Sequence, residues 1–179
     1  KIALRPRARD AIASLASLRV PVTVVSAGLE HVIGQVLAPF RVCSLDDACA
    51  LADTPGTVHL VSNRIVFDEE NGGGDDAKAI AVRPEPPVHA GNKETIHERL
   101  KPFFDEIQAA SRTRLLVVGD SVGDVRAAKN VPKDQMLAIG FYNPANPWAH
   151  TKAAFEDVYD FLIPHTADFG WLADELADL

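Results

Sequence analysis

Short apolar runs alternate with amphipathic stretches along this chain, and this alternation is typical of strands that are each followed by a helix. Apolar side chains recur at helical spacing over residues 12–18, and the β-branched run Val22–Val25 then stops at Ser26-Ala27-Gly28. Further apolar runs of strand length occur at Val58–Val61, Ile65–Phe67, Ala79–Val82, Leu115–Val118, Met136–Phe141 and Phe161–Ile163. We therefore expect an α/β fold, with a mostly parallel sheet and helices on both of its faces.

Breaker residues mark the connections between these elements. The glycines of residues 68–74 permit a sharp reversal, and the prolines at positions 84, 86 and 87 exclude helix interior and central strand. Helical patterns follow at residues 29–37, from Lys93 to about Phe104, over Val122–Asn130 and near Ala167–Leu176. An exposed, proline-rich connection is thus expected to lead into the helix that begins near Lys93.

Composition restricts the class of protein. The chain has 179 residues, enough for one domain with a sizeable core, and no apolar stretch long enough to span a bilayer. Its formal net charge of −7 would repel a nucleic-acid backbone, so nucleic-acid binding is disfavoured. Cys43 and Cys49 lack a CxxC spacing, so we expect neither a zinc site nor a disulfide, and a reducing cytoplasm as the location.

Polar residues that suit a phosphate and a metal ion follow the predicted strands. Ser26 and Ala27 end the first strand, Lys93 begins a helix, and Asp120 and Asp124 follow the strand Leu115–Val118. Ligands collect at the carboxyl ends of parallel strands, where backbone N–H groups and helix N-termini converge. Two aspartates four residues apart share one side of a helix and offer the hard oxygen ligands that Mg²⁺ prefers.

Each of these residues also has a purely structural interpretation. Ser26 would then be a helix N-cap, Lys93 a solvated surface lysine, and Asp120 an N-cap with Asp124 as an acid in the first turn. The order of the residues argues against this: a strand-end Ser, a Lys at a helix start, then a strand-end Gly-Asp with a second Asp.

That order resembles the haloacid dehalogenase superfamily, and more narrowly the cytosolic pyrimidine 5'-nucleotidase family. The matching segments are Val22–Gly28, Val61–Asn63, Phe67–Glu69, Asn92-Lys93 and Val118–Asp124. The resemblance implies a Rossmann-like core and Mg²⁺-dependent hydrolysis of pyrimidine nucleoside 5'-monophosphates through an aspartyl-phosphate. It implies that Ser26, Ala27 and Lys93 bind phosphate, that Asp120 ligates Mg²⁺, and that Lys93 and Asp124 act in catalysis.

The aspartate nucleophile of that family lies in an Asp-x-Asp-x-Thr motif, which this sequence does not contain. Its acidic pairs Asp46-Asp47, Asp75-Asp76 and Asp157/Asp160 are interpreted as solvated surface. We therefore expect residues 1–179 to be one incomplete core domain, with the cap and first core strand upstream, that is inactive alone. The gap left in the sheet would expose an edge through which copies of the chain could associate. The alternatives are another phosphatase of the superfamily and a non-catalytic α/β binding module.

Overall fold

The computed structural model describes residues 3–44, 57–67, 79–109, 111–146 and 151–178. Its helices are α1 (Ala8–Ser17), α2 (Glu30–Val36), α3 (His97–Ala109), α4 (Val122–Arg126), α5 (Lys152–Glu156) and α6 (Gly170–Ala177), with 3₁₀ turns at Lys93–Ile96 and Lys133–Gln135. Its strands are β1 (Val22–Leu29), β2 (Arg41–Ser44), β3 (Thr57–Phe67), β4 (Ala79–Arg83), β5 (Leu115–Gly119), β6 (Met136–Tyr142) and β7 (Phe161–Pro164).

The described strands form two sheets. In the first, β3 lies between β1 and β2 and pairs with both in parallel, while its second half pairs with β4 in antiparallel. In the second, β5, β6 and β7 are all parallel, in that order. The predicted α/β class, with parallel strands flanked by helices, is confirmed, although the strands are divided between two sheets.

The two predicted runs Val58–Val61 and Ile65–Phe67 belong to a single strand, β3, so their separation was wrong. The polar pair between them, Ser62 and Asn63, stays extended and is buried, with 5% and 7% of each residue exposed. The short strand β2 and the helix α5 were not predicted, because neither has a clear apolar pattern.

A bulge interrupts β1 where the sequence predicted that the strand would end. Val25 pairs with Val61 and Leu29 pairs with Asn63, so three residues of β1 oppose Ser62 alone. The strand therefore continues to Leu29, and the expected end at residues 26–28 is wrong. A bulge of this kind redirects side chains, and bulges often lie next to active sites.

The described residues form two buried apolar clusters. The first contains Val61, Val88, Ile96, Leu100 and Ala127, and the second contains Val122, Val125, Ala138, Phe155 and Tyr159. Ala127 follows α4 directly, whereas Val122 and Val125 lie within it. This short helix, which ends at Arg126 rather than the predicted Asn130, therefore joins the cores of the two sheets.

Cys43 in β2 is disulfide-bonded, so the expectation of no disulfide is wrong for this residue. Cys49, the pairs Asp46-Asp47 and Asp75-Asp76, the segment Asp68-Glu69 and the glycine-rich residues 71–74 lie outside the described residues. Within the described ranges, every helix is too short or too polar to traverse a bilayer.

Candidate active site

A pocket of about 270 Å³ opens where the carboxyl ends of β1 and β5 lie near each other. Four residues proposed from the sequence line it: Ser26, Lys93, Asp120 and Asp124. The rest of its lining consists of Arg5, Val25, Val118, Gly119, Phe141 and Phe169. Residues separated by almost a hundred positions in the sequence therefore meet at one site between the two sheets.

Ser26 lies in the bulge of β1, and its hydroxyl oxygen accepts a hydrogen bond from the backbone N–H of Gly28 at 3.1 Å. The N-cap of α2 is Leu29, so the interpretation of Ser26 as a helix cap is wrong. Ala27 is exposed beside it and is not part of the pocket lining. Within the bulge, Ser26 rather than Ala27 therefore lines the pocket.

Lys93 and Asp124 form a nearly buried ion pair at the base of the pocket. The ammonium of Lys93 donates to Oδ1 of Asp124, and the two side chains are 11% and 12% exposed. The interpretation of Lys93 as a solvated surface lysine is therefore wrong. Burying two charges is costly unless they are paired, so this contact constrains where both side chains lie.

The second carboxylate oxygen of Asp124 holds the turn after β5. Oδ2 accepts hydrogen bonds from the backbone N–H groups of Asp120 at 3.0 Å and Ser121 at 2.9 Å. Ser121, not Asp120, is the N-cap of α4, so the N-cap interpretation of Asp120 is also wrong. Both oxygens of Asp124 are thus occupied within the protein, and this residue fixes the turn that carries Asp120.

Asp120 has the free carboxylate of this turn. It is exposed at the mouth of the pocket, and in the part of the chain that the structure describes its carboxylate has no hydrogen-bond partner. No group of three or more metal-binding side chains occurs among the described residues. Mg²⁺ commonly uses only one or two protein carboxylates and completes its shell with water and substrate phosphate. Asp120 fits such an ion as a single ligand.

Gly119 and Gly123 allow the turn after β5 to pack this closely. A Cβ atom at Gly123 would lie 2.7 Å from the carbonyl oxygen of Ala90, and one at Gly119 would collide with the side chain of Asp124. Real Cβ atoms do not approach so closely. The two glycines therefore bring α4 against the segment before Lys93 and let Asp124 fold back over its own turn.

Comparison with known proteins identifies the family to which this chain belongs. The family model described as Pyrimidine 5'-nucleotidase (UMPH-1) matches residues 1–166. The chain belongs to this family. The resemblance inferred from the sequence motifs is thereby confirmed, and the pocket described above lies within the matched part of this 5'-nucleotidase family chain.

Relatives with related names cover the same region. A protein of Caenorhabditis elegans named putative cytosolic 5'-nucleotidase 3 is 28% identical over 181 residues, which cover all of this chain and 43% of that protein. Proteins named 7-methylguanosine phosphate-specific 5'-nucleotidase are 24% identical in Gallus gallus and 30% in Drosophila melanogaster. These alignments cover 90% and 78% of this chain, and 49% and 38% of the relatives. The aligned regions thus span less than half the length of each of these relatives.

Asn63 does not line the pocket, but it makes contacts beside it that the sequence did not lead us to expect. Its side-chain nitrogen donates to the carbonyl oxygens of Ala27 and Val88, each at 2.9 Å, and its oxygen accepts from the N–H of Val88 at 2.7 Å. Asn63 therefore fastens the bulge of β1 to the connection before Lys93. A polar residue in the middle of an apolar strand was the available signal, because buried amides occur where they are fully hydrogen-bonded.

Tyr159 also contacts the turn after β5. Its hydroxyl donates to the carbonyl oxygen of Ser121 at 2.7 Å, and only 4% of the residue is exposed. Burial, followed by the negative charges of Asp124 and Asp120, raises the pKa of Tyr159 well above its usual range. Its hydroxyl therefore stays protonated as a donor to Ser121. The neighbouring Asp157 and Asp160 are exposed, as expected.

Proposed function

We propose that this chain forms the phosphate- and metal-binding part of a 5'-nucleotidase that hydrolyses pyrimidine nucleoside 5'-monophosphates with Mg²⁺. The observation that supports this most is the meeting of Ser26, Lys93, Asp120 and Asp124 in one pocket of a pyrimidine 5'-nucleotidase family chain. The four side chains offer a hydroxyl, a cation and oxygen ligands, which are the groups that phosphoryl transfer requires.

Each group has a separate task in this proposal. The hydroxyl of Ser26 and the backbone at Ala27 hold phosphate oxygens, and the ammonium of Lys93 offsets charge on the transferring group. Asp120 holds Mg²⁺, which when bound would polarise a phosphoryl oxygen. Asp124 keeps Lys93 and the turn of Asp120 in place through the contacts of its two oxygens.

The nucleophile would come from a segment outside the described residues. In the covalent route a carboxylate attacks phosphorus, the bond to the 5'-oxygen breaks, the nucleoside takes a proton, and water hydrolyses the aspartyl-phosphate. The pocket's own carboxylates are Asp120, proposed as a metal ligand, and Asp124, whose oxygens are occupied. We therefore propose that residues 1–179 alone do not turn over substrate.

The edges of β1 and β5 indicate where that segment would fit. Among the described strands β1 pairs with β3 and β5 pairs with β6, and Val25 and Val118 bring the two strand ends to the same pocket. The residues of β1 and β5 are half-buried or exposed, whereas β3, which has neighbours on both sides, is buried over its first seven residues. One parallel strand inserted between β1 and β5 would complete the sheet and bring its carboxyl end to the pocket.

An activity assay tests separately whether residues 1–179 are inactive and whether Lys93 and Asp120 form the site. Residues 1–179 are incubated with UMP or CMP and Mg²⁺, and inorganic phosphate is measured beside a longer chain that includes the proposed upstream segment with an Asp-x-Asp-x-Thr motif. We expect release only by the longer chain, and loss of release in its Lys93→Met and Asp120→Asn variants. Release by residues 1–179 would refute inactivity, and full activity of both variants would refute the site.

A second substrate has support from the relatives, since two of the proteins described above carry the name 7-methylguanosine phosphate-specific 5'-nucleotidase. The pocket recognises phosphate, which both substrates share, so it does not distinguish them. The longer chain should be assayed with UMP, CMP and 7-methylguanosine 5'-monophosphate at equal concentrations. A kcat/KM for the methylated purine above that for UMP would replace the pyrimidine assignment.

We further propose a cytoplasmic location, as the name of the worm relative implies for that protein. The disulfide at Cys43 opposes this, because disulfides rarely persist in a reducing cytoplasm. Cells are quenched in acid, and Cys43, which is 7% exposed in the folded chain, is alkylated in denaturant with and without reduction before mass spectrometry of the peptide. Alkylation without reduction supports the cytoplasm, and alkylation only after reduction contradicts it.

A further inference from the structure

One cation in the pocket has no task in the function proposed above. Arg5 precedes α1, more than eighty residues before Lys93, and its side chain lines the same cavity as Ser26 and Asp120. It contacts Phe141 at the end of β6 and the carbonyl oxygen of His165 after β7, whereas Ser26 belongs to β1. Two different parts of the fold therefore each bring a potential anion-binding group to this cavity.

Arg5 is held in position by contacts that leave part of its guanidinium free. Its central carbon lies 4.1 Å from the centre of the Phe141 ring, and one terminal nitrogen donates to the carbonyl oxygen of His165. The adjacent Pro6 accepts a hydrogen bond from the N–H of Phe169 at 3.0 Å. Stacking uses the face of the guanidinium, so the N–H donors along its other edges remain available.

The charges of the pocket identify what those donors would bind. Lys93 is paired with Asp124, while in the described part of the chain Arg5 forms no ion pair with a carboxylate. A guanidinium with free N–H groups is suited to two oxygens of one phosphate, because its planar fork matches their spacing. The ring of Phe141 and the backbone already fix the side chain, so little conformational freedom would be lost on binding.

We propose that Arg5 binds oxygens of the substrate phosphate, in the pocket that it shares with Ser26, as a second cation of the phosphate site. This rests on the proposed function, since it assumes that the pocket takes a phosphate monoester. Arg5 then carries the cationic contact that Lys93, engaged with Asp124, provides only in part.

The test is a titration of residues 1–179 with inorganic phosphate in the presence of Mg²⁺, followed by NMR of the ¹⁵N-labelled chain. Arg5→Gln should weaken phosphate binding about tenfold or more, the loss expected for a charge-assisted contact. Arg5→Lys keeps the charge but lacks the planar fork of the guanidinium, so its affinity for phosphate should lie between those of the unaltered chain and Arg5→Gln. Arg9→Gln, which removes an exposed arginine of α1, should bind as the unaltered chain does.

Thermal unfolding of each variant distinguishes binding from simple support of the fold. If Arg5→Gln lowers Tm while the folded protein binds phosphate with unchanged affinity, Arg5 is structural and the inference is overturned. Lys93→Met and Ser26→Ala are titrated in parallel. Weaker binding in those two but not in Arg5→Gln rejects Arg5 alone, whereas unchanged binding in all three rejects the phosphate site itself.

Discussion

The side-chain nitrogen of Asn63 donates to the carbonyl oxygen of Ala27 across 2.9 Å, joining β3 to the bulge of β1. The same side chain exchanges hydrogen bonds with both backbone groups of Val88, at the end of the proline-rich connection. One buried amide thereby fixes two segments that deliver Ser26 and Lys93 to the pocket. The geometry of the site depends on a residue that does not line it.

Replacing Asn63 with Ala should destabilise the fold by about 3 kcal/mol, because buried backbone groups left without a partner cost about 1–3 kcal/mol each. Urea unfolding followed by circular dichroism measures this change. Asn130→Ala, an exposed asparagine after α4, is the matched control and should change stability by less than about 0.5 kcal/mol. Equal urea midpoints for the two variants would show that the Asn63 contacts contribute nothing measurable.

The ion pair of Lys93 and Asp124 should show strong coupling. Lys93→Met leaves the charge of Asp124 buried without its partner and should cost about 3–5 kcal/mol of unfolding free energy. In the double variant Lys93→Met/Asp124→Asn the remaining amide is neutral, so part of that loss should be recovered. A double-mutant cycle in urea measures the coupling. Strictly additive losses would contradict a direct interaction between the two side chains.

The close packing of α4 at Gly123 can be tested against Gly34, a glycine in α2 that has open space around it. Gly123→Ala places a Cβ atom 2.7 Å from the carbonyl oxygen of Ala90 and should destabilise the chain by about 1–3 kcal/mol. Gly34, inside α2, has open space where a Cβ atom would lie, with no atom within 4 Å, so Gly34→Ala should instead stabilise by about 0.5–1 kcal/mol. Thermal melts of both variants test the opposite signs, and a stable Gly123→Ala protein would refute the close approach.

Tyr159 should make the stability depend on alkaline pH. Its pKa is raised in the folded chain by burial and by the charges of Asp124 and Asp120. The unfolded chain releases this proton at about pH 10, so its stabilising contribution is present below that pH and decreases as the pH rises further. Urea unfolding at pH 8 and about pH 11 should show the wild-type chain losing more stability than Tyr159→Phe. Equal losses would contradict the shifted pKa.

The order of elements could be read from the sequence because long, apolar, β-branched runs are distinctive. The strands β1, β5, β6 and β7 were all anticipated within a few residues. The short β2 was not anticipated, since its four residues include charged, apolar and polar side chains. This strand is recognised only from its pairing with β3 in the folded chain. β3 was divided in two because Ser62 and Asn63 resemble a turn, although tertiary hydrogen bonds keep them extended.

The meeting of four residues in one pocket was predictable from the motif. Their places after strands and at a helix start indicated a shared edge of the sheet, and the structure brings these residues together: Ser26, Lys93, Asp120 and Asp124. Asp124 was expected beside the metal, but its engagement with Lys93 and the turn depends on packing that no local pattern reveals. Arg5 was not anticipated in the pocket for the same reason, because only the folded chain brings it to the cavity that Ser26 lines.

The loop of residues 111–114 is exposed throughout, and it separates the part of the chain with Ser26 and Lys93 from the part with Asp120 and Asp124. A chain cut in this loop would yield two pieces, neither with a whole pocket. The two pieces would contact each other again at Gly123 against Ala90. Because each piece keeps one of the two sheets, the pocket would form only when the pieces reassemble.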